Sequence, residues 1–234
     1  MPRDVRAAFP EAGSHLARYA ARFPVAEINS SFHRPHRPST YARWADETPP
    51  GFRFAAKLPK TITHQLRLAA ADEALDTFLA EAAGLGEKLA ALLVQLPPSF
   101  AFDAAVAAPF FAGLAARTDA SVVCEPRHPS WFEAEADALL ASLRVARVAA
   151  DPARVPAAAH PGGWRGLTYH RLHGSPRMYY SSYPPESIRD LAEQLREDAA
   201  PGREVWCIFD NTASGAAAAN ALELVSALAE DSTD

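Results

Sequence analysis

Short apolar runs alternate with longer stretches of helical spacing along this chain. The runs are VAEIN (25–29), FRFAAKL (52–58), AALLVQL (90–96), SVVCE (121–125), VARVAA (145–150), LTYHRLH (167–173) and VWCIFD (205–210). Each has the length and bounding residues of a buried strand. Between them, SHLARYAARF sets Leu16, Tyr19, Ala20 and Phe23 on one helical face. STYARWAD is predicted to start a helix with Ser39 as its N-cap. ADEALDTFLAEAAGLG ends on glycines, as helices often do. SWFEAEADALLASL opens with Ser130 and Glu133 at the spacing of a capping box. PPESIRDLAEQLRED has proline and acid at its start and arginine near its end. In the last helix, Leu222, Val225 and Leu228 are predicted to share the apolar face.

Strand alternating with helix implies parallel pairing and right-handed crossovers. Seven such units exceed the usual open sheet and predict an α/β protein of the TIM-like (β/α) barrel type, with the N-terminal strand missing. No Gly/Ser linker, repeat or low-complexity tract marks a boundary, so a single domain over 1–234 is expected.

Side chains alternate faces along a strand, and the helix-facing row of a barrel must be apolar. That parity sends Arg53 and Lys57 inward from the second strand, opposite Phe52, Phe54 and Leu58. By the same rule Gln95, Glu125, Glu27 with Asn29, Asp210, and Arg171 with His173 point inward near the carboxyl ends of their strands. His170 alone falls on the helix-facing side. Burying such groups costs several kcal/mol unless they are paired. A structural ion-pair network and a ligand site both explain any one of them; their convergence on the end that holds barrel active sites favours the site.

The loops after the strands add cations: His33, Arg34, His36 and Arg37; Lys60 and His64; Arg127 and His128; Arg177. Trp131, Tyr179, Tyr180 and Tyr183 offer flat contact area beside them. Asn211, Thr212 and Ser214 lie where the last strand gives way to the last helix, as caps whose neighbouring N–H groups can hold an anion. Lys57 is the strongest candidate for chemistry, because desolvation and a nearby Arg53 would lower its pKa. Anion binding ranks above nucleophilic attack for it. Glu27 and Glu125 are candidate general acids or bases.

Composition narrows the options. The 234 residues are 49% hydrophobic, enough for a large core, and the net charge of −5 disfavours a general nucleic-acid surface. Cys124 and Cys207 sit in apolar runs and read as buried hydrophobes rather than a disulfide framework. There is no apolar stretch of membrane-spanning length and no signal-peptide core at the start, which predicts a cytoplasmic protein with no membrane partner. No H-E-x-x-H, G-x-S-x-G or P-loop is present, no spacing demands a metal, and no cofactor is expected.

The segments AEINSSFHR, FRFAAKLPKTITH, LLVQLPPSF, CEPRHPSWF, YHRLHG, YYSSY and FDNTASGAAAANALEL together resemble the YecE-like family, domain of unknown function 72. The resemblance runs in family order from about residue 10 to the end. It implies a TIM-like barrel and names no reaction. By position in these motifs it carries over Glu27, Asn29, Lys57, His64, Gln95, Glu125, Arg127, His128, Arg171, His173, Asn211 and Thr212 as site residues. Two departures stand out. The chain starts at MPRDVRAAFP, just after the strand ending in a Gly-Thr-x-Gly-Trp type motif with which the family usually begins. It also has Asp210 where asparagine is expected.

Three readings of function follow. The first is an enzyme for a small anionic, phosphorylated substrate, with Lys57, Glu125, Glu27 and His173 in the chemistry and Asn29, His64, Gln95, Arg127, His128, Arg171, Tyr180, Asp210, Asn211 and Thr212 in binding. The second is a nucleic-acid-binding or processing protein by analogy with barrel endonucleases, against which the net charge weighs. The third is a non-catalytic partner-binding scaffold. The sequence leaves the oligomeric state open.

Overall fold

A computed structural model describes residues 5–199 and 203–230. Every predicted strand is present: β1 (Val25–Ile28), β2 (Arg53–Lys57), β3 (Leu89–Gln95), β4 (Ser121–Glu125), β8 (Leu167–Leu172) and β9 (Glu204–Phe209), with the 145–150 run split into β5 (Val145–Arg147) and β6 (Ala149–Asp151) around Val148. A two-residue strand, β7 (Gly162–Gly163), is added. The helices are α1 (His15–Ala20), α2 (Pro38–Asp46), α3 (Asp72–Ala82), α4 (Ala104–Ala115), α5 (Ala134–Ser142), α6 (Pro185–Asp198) and α7 (Ala216–Glu230).

The hydrogen bonds build two sheets rather than one closed ring. One runs β1-β2-β3-β4-β5-β7 and the other β6-β8-β9. The break has a local cause. The far edge of β5 is taken by β7, which pairs antiparallel with Ala146 opposite Gly163 and Arg147 opposite Gly162. A side chain at Gly162 would force Arg147 to shift, since its Cβ would lie 2.1 Å from the guanidinium. Arg147 is anchored there by Asp137, 3.0 Å away, whose carboxylate also accepts from the Gly163 N–H. The remaining contacts within each sheet are parallel, as predicted.

The chain divides into two compact units: Phe9–Arg147 with Gly162–Trp164, and a second unit built on Val148–Pro161 and the chain from Arg165 onward. In the first unit, Phe52, Phe54, Leu58, Leu92, Val94 and Leu96 supply the apolar row, packed with Phe78 of α3, Phe111 of α4 and Leu140 of α5. In the second, Leu172, Val205, Cys207 and Phe209 meet Ile188, Ala192 and Leu195 of α6 and Leu224 of α7. Burying side chains such as Ile188 and Leu195 stabilises by about 1.5–3 kcal/mol each. Val225, expected on the apolar face of α7, is instead 46% exposed, and Leu224 is the buried residue.

Several local signals resolve differently from expectation. α2 begins at Pro38, so Ser39 lies inside its first turn rather than at the cap. Ser130 makes no capping box: Pro129–Phe132 form a turn of 3-10 helix before α5, and the Ser130 hydroxyl accepts from the Phe102 N–H. α4 has no predicted counterpart, because Pro109 sits in its interior. No helix among the described residues is long and apolar enough to cross a membrane.

Candidate functional site

In the N-terminal unit, the parallel register brings the ends of four strands level: Ile28 pairs with Ala56, Lys57 with Leu93, and Gln95 with Glu125. Lys57 is the last residue of β2 and is 8% exposed. Its ammonium lies 4.2 Å from the centre of the Phe32 ring, a cation–π contact supplied by the turn after β1. Ser31 fixes that turn, with its hydroxyl 2.7 Å from the Lys57 carbonyl oxygen. The His64 ring meets the other side of this group edge-on, 5.0 Å from Phe32.

His64 reports the field at this end of the sheet. Burial lowers its pKa first, and the charges of Lys57 and Arg127 lower it further. Its Nδ1 is 2.8 Å from the Thr63 hydroxyl. Glu125 is 2% exposed and accepts from Gln95 Nε2 at 3.0 Å and from Arg127 Nε at 3.1 Å. At the end of β1, Asn29 Nδ2 donates to Glu27 at 2.8 Å, while Asn29 Oδ1 is buried with no hydrogen-bond partner among the described residues. Burial, reinforced by the Glu27 charge, pushes the Tyr19 phenol up to about 12.

Other expected members of this group lie elsewhere or do other work. Arg53 is exposed at the amino end of β2, four residues from Lys57, and is not the close like charge expected beside the lysine. His128 accepts from the Ser130 N–H and starts the 3-10 turn. Trp131 is fully buried, its indole N–H bonded to the Phe100 carbonyl, and is a core residue rather than a rim contact. His33, Arg34, Arg37 and Lys60 are exposed. His36 bonds Ser30 at 2.8 Å, and its pKa is lowered by burial and then by Arg34.

The C-terminal unit carries a second group. Parity holds along β8: Leu172 joins the helix-facing core, whereas Arg171 and His173 are buried on the other face. Both converge on one carboxylate, with Arg171 Nη2 and His173 Nδ1 each 3.1 Å from Asp210 Oδ2. The helix-facing His170 is bonded through Nε2 to Asp198 of α6 at 2.9 Å. Asn211 is fully buried, but it does not cap α7. Its Nδ2 donates to the Ser181 carbonyl and to Asn220, and its Oδ1 has no partner among the described residues. Thr212 is exposed, and the Ser214 hydroxyl donates to the Tyr180 carbonyl. Tyr180 is 47% exposed under the Arg177 guanidinium. Tyr183 is no lid: its hydroxyl donates to Asp151 and accepts from the Gly174 N–H, pinning the turn where Gly174 adopts φ +92.

Sequence reasoning missed Phe32 and Asp198. The first could have been suspected from its place between two strands in SSFHR; the second, at the end of a helix, gave no signal.

Parallel strands joined largely by helices, with titratable side chains at several of their carboxyl ends, define an α/β protein. The chain belongs to the family described as protein of unknown function DUF72, whose model matches residues 5–234. It is 33% identical over 85 residues to UPF0759 protein YecE of Escherichia coli strain K12, a match spanning 36% of this chain and 31% of that protein. It is 24% identical over 243 residues to UPF0759 protein YunF of Bacillus subtilis strain 168, spanning 91% of this chain and 86% of YunF. The crystal structure of the DUF72 family protein EF0366 from Enterococcus faecalis V583 has the same fold, with a TM-score of 0.78 and 24% identity over 92% of this chain and 93% of that one.

Proposed function

We propose that the carboxyl ends of β1, β2, β3 and β4 form an enzyme site for a small phosphorylated substrate. One observation carries this reading: Lys57 is buried at the carboxyl end of β2, Arg127 is held after β4 by Glu125, and both cations act on the His64 ring. A dianionic group placed among them would be held by Lys57 as a point charge and by the planar guanidinium of Arg127. Glu125, fastened to Gln95 and Arg127, positions the guanidinium and is not the acid of the reaction. His64, kept unprotonated by burial and by the two cations, is the proton acceptor for a substrate hydroxyl. The buried Oδ1 of Asn29 accepts from another hydroxyl of the same substrate.

Inorganic phosphate tests the reading without a known substrate. A ligand that binds only the folded chain raises its melting temperature with concentration, by about 2.7 kcal/mol at a hundred times Kd. Phosphate should stabilise the protein where potassium chloride of equal ionic strength does not. Lys57→Ala should abolish that difference while the unliganded protein still melts cooperatively. No phosphate-specific shift in the native chain, or an unchanged shift in Lys57→Ala, would overturn the assignment.

A further inference from the structure

In the C-terminal unit, the connection from β6 to β8 contains only a 3-10 turn, Pro156–Ala159, where the crossover from β8 to β9 carries the fourteen-residue α6. A cavity of about 390 Å³ lies against the helix-facing side of β6 and β8. That is the size range of a small-metabolite site. Its polar walls are Asp151, His170, Ser175 and Tyr183, together with Ser187, Asp190 and Gln194 of α6.

α6 therefore presents two faces. Ile188, Ala192 and Leu195 pack into the core. Ser187, Asp190, Leu191 and Gln194, at i, i+3, i+4 and i+7, line the cavity instead, and three of the four are polar. A helix stripe serving only to cover a sheet would be apolar.

The chemistry of the lining is one-sided. Asp151 and Asp190 are carboxylates, and no lysine or arginine is among the lining residues. Asp151 Oδ1 accepts from Tyr183 at 2.7 Å, which leaves its second oxygen able to accept elsewhere. His170 is 3% exposed, on a strand face where an apolar residue is expected. Its Nε2 is held by Asp198 at 2.9 Å, so the ring proton lies on that side. Nδ1 is then the nitrogen that carries the lone pair and accepts. Burial lowers the pKa of this imidazole against the opposing pull of Asp198, which keeps it neutral and accepting. Two carboxylates and a buried imidazole acceptor match a group that only donates and carries positive charge.

We propose that this cavity is a binding site for a small organic amine, held in its ammonium form by Asp190 and Asp151, with His170 Nδ1 accepting one of its N–H groups. The site is independent of the phosphate site proposed above.

Titration of the full chain with 1,4-diaminobutane at about 0.15 M salt, where diffuse surface attraction is largely screened, tests this by calorimetry and by imidazole NMR. Saturable binding that perturbs the His170 ring is expected. Asp190→Asn, at an exposed position, should weaken it about tenfold or more, as loss of a charge-assisted bond does. Ser187→Phe, which fills the cavity, should abolish it. Glu193→Gln removes an exposed carboxylate from the same helix outside the cavity and should leave binding unchanged. 1,4-Butanediol, of similar shape but uncharged, should bind far more weakly. Absence of saturable diamine binding, an equal response to butanediol, or equal weakening by Glu193→Gln and Asp190→Asn would overturn the proposal.

Discussion

His64 and His170 are two imidazoles with lowered pKa values, one in each compact unit, and their surroundings are opposite. Around His64 the acting charges are Lys57 and Arg127, both cations. Around His170 burial lowers the pKa most, the bonded carboxylate of Asp198 opposes it, and His160 adds a lesser lowering charge. The same direction of shift thus arises beside two cations in one place and beside a carboxylate in the other. The direction of a pKa shift does not name the ligand; the sign of the neighbouring charges does. Both units also hold cations at strand ends. Lys57 lies against the Phe32 ring, and Arg171 and His173 share Asp210.

The largest effect that would sharpen this contrast is on stability. Arg171 is fully buried against Asp210. Breaking a buried pair from one side costs about 3–5 kcal/mol. Arg171→Met should lower the melting temperature by roughly 6–20 °C, and adding Asp210→Leu should recover part of the loss. A melt unchanged by Arg171→Met would show that this pair is not structural, and the contrast would fail.

A smaller effect separates the two histidines. Both have folded pKa values below the unfolded value of about 6.5. The unfolded chain therefore binds more protons between those limits. Stability contributed by the neutral rings is complete above about pH 6.5 and is lost as pH falls through the folded pKa values. Ligands should push the rings apart in ways that NMR titration can follow. Phosphate, adding negative charge beside His64, should raise that pKa; diamine, adding positive charge beside His170, should lower the other further. Movement of both rings in the same direction with either ligand would break the comparison.

The smallest effect belongs to Arg53. Exposed at the amino end of its strand, it should tolerate Arg53→Gln within about 0.5 kcal/mol, with phosphate-dependent stabilisation intact.

Strand positions and face assignment were largely legible, because parity is a rule about single residues. It placed Leu172 with the helices and Arg171 and His173 opposite, and it singled out His170. Arg53 shows its limit: parity gives a face and not a height along the strand, so a residue at the amino end was grouped with Lys57 at the other. α4 was hidden by Pro109, whose cost to a helix is met here by the packing of Phe110, Phe111 and Leu114. Ser39 and Ser130 had the right spacing for caps, but the prolines at 38 and 129 set where each turn begins. The division into two sheets depends on Gly162 and Gly163 claiming the edge of β5, a pairing between residues about sixteen apart that no local pattern marks. The cavity was implicit in the lack of a helical pattern between 151 and 166, but an absent helix does not say what fills its place.

The two faces of α6 answer to different selective demands. Replacing Ile188 or Leu195 is a matter of whether the protein folds. Replacing Ser187, Asp190 or Gln194 changes the walls of a cavity that already exists and puts no core contact at risk. A lineage carrying this helix can therefore exchange one ligand for another by single steps along one stripe, each intermediate remaining a folded protein. The short 156–159 turn has made one side of a structural helix into ground on which new specificity can be tried.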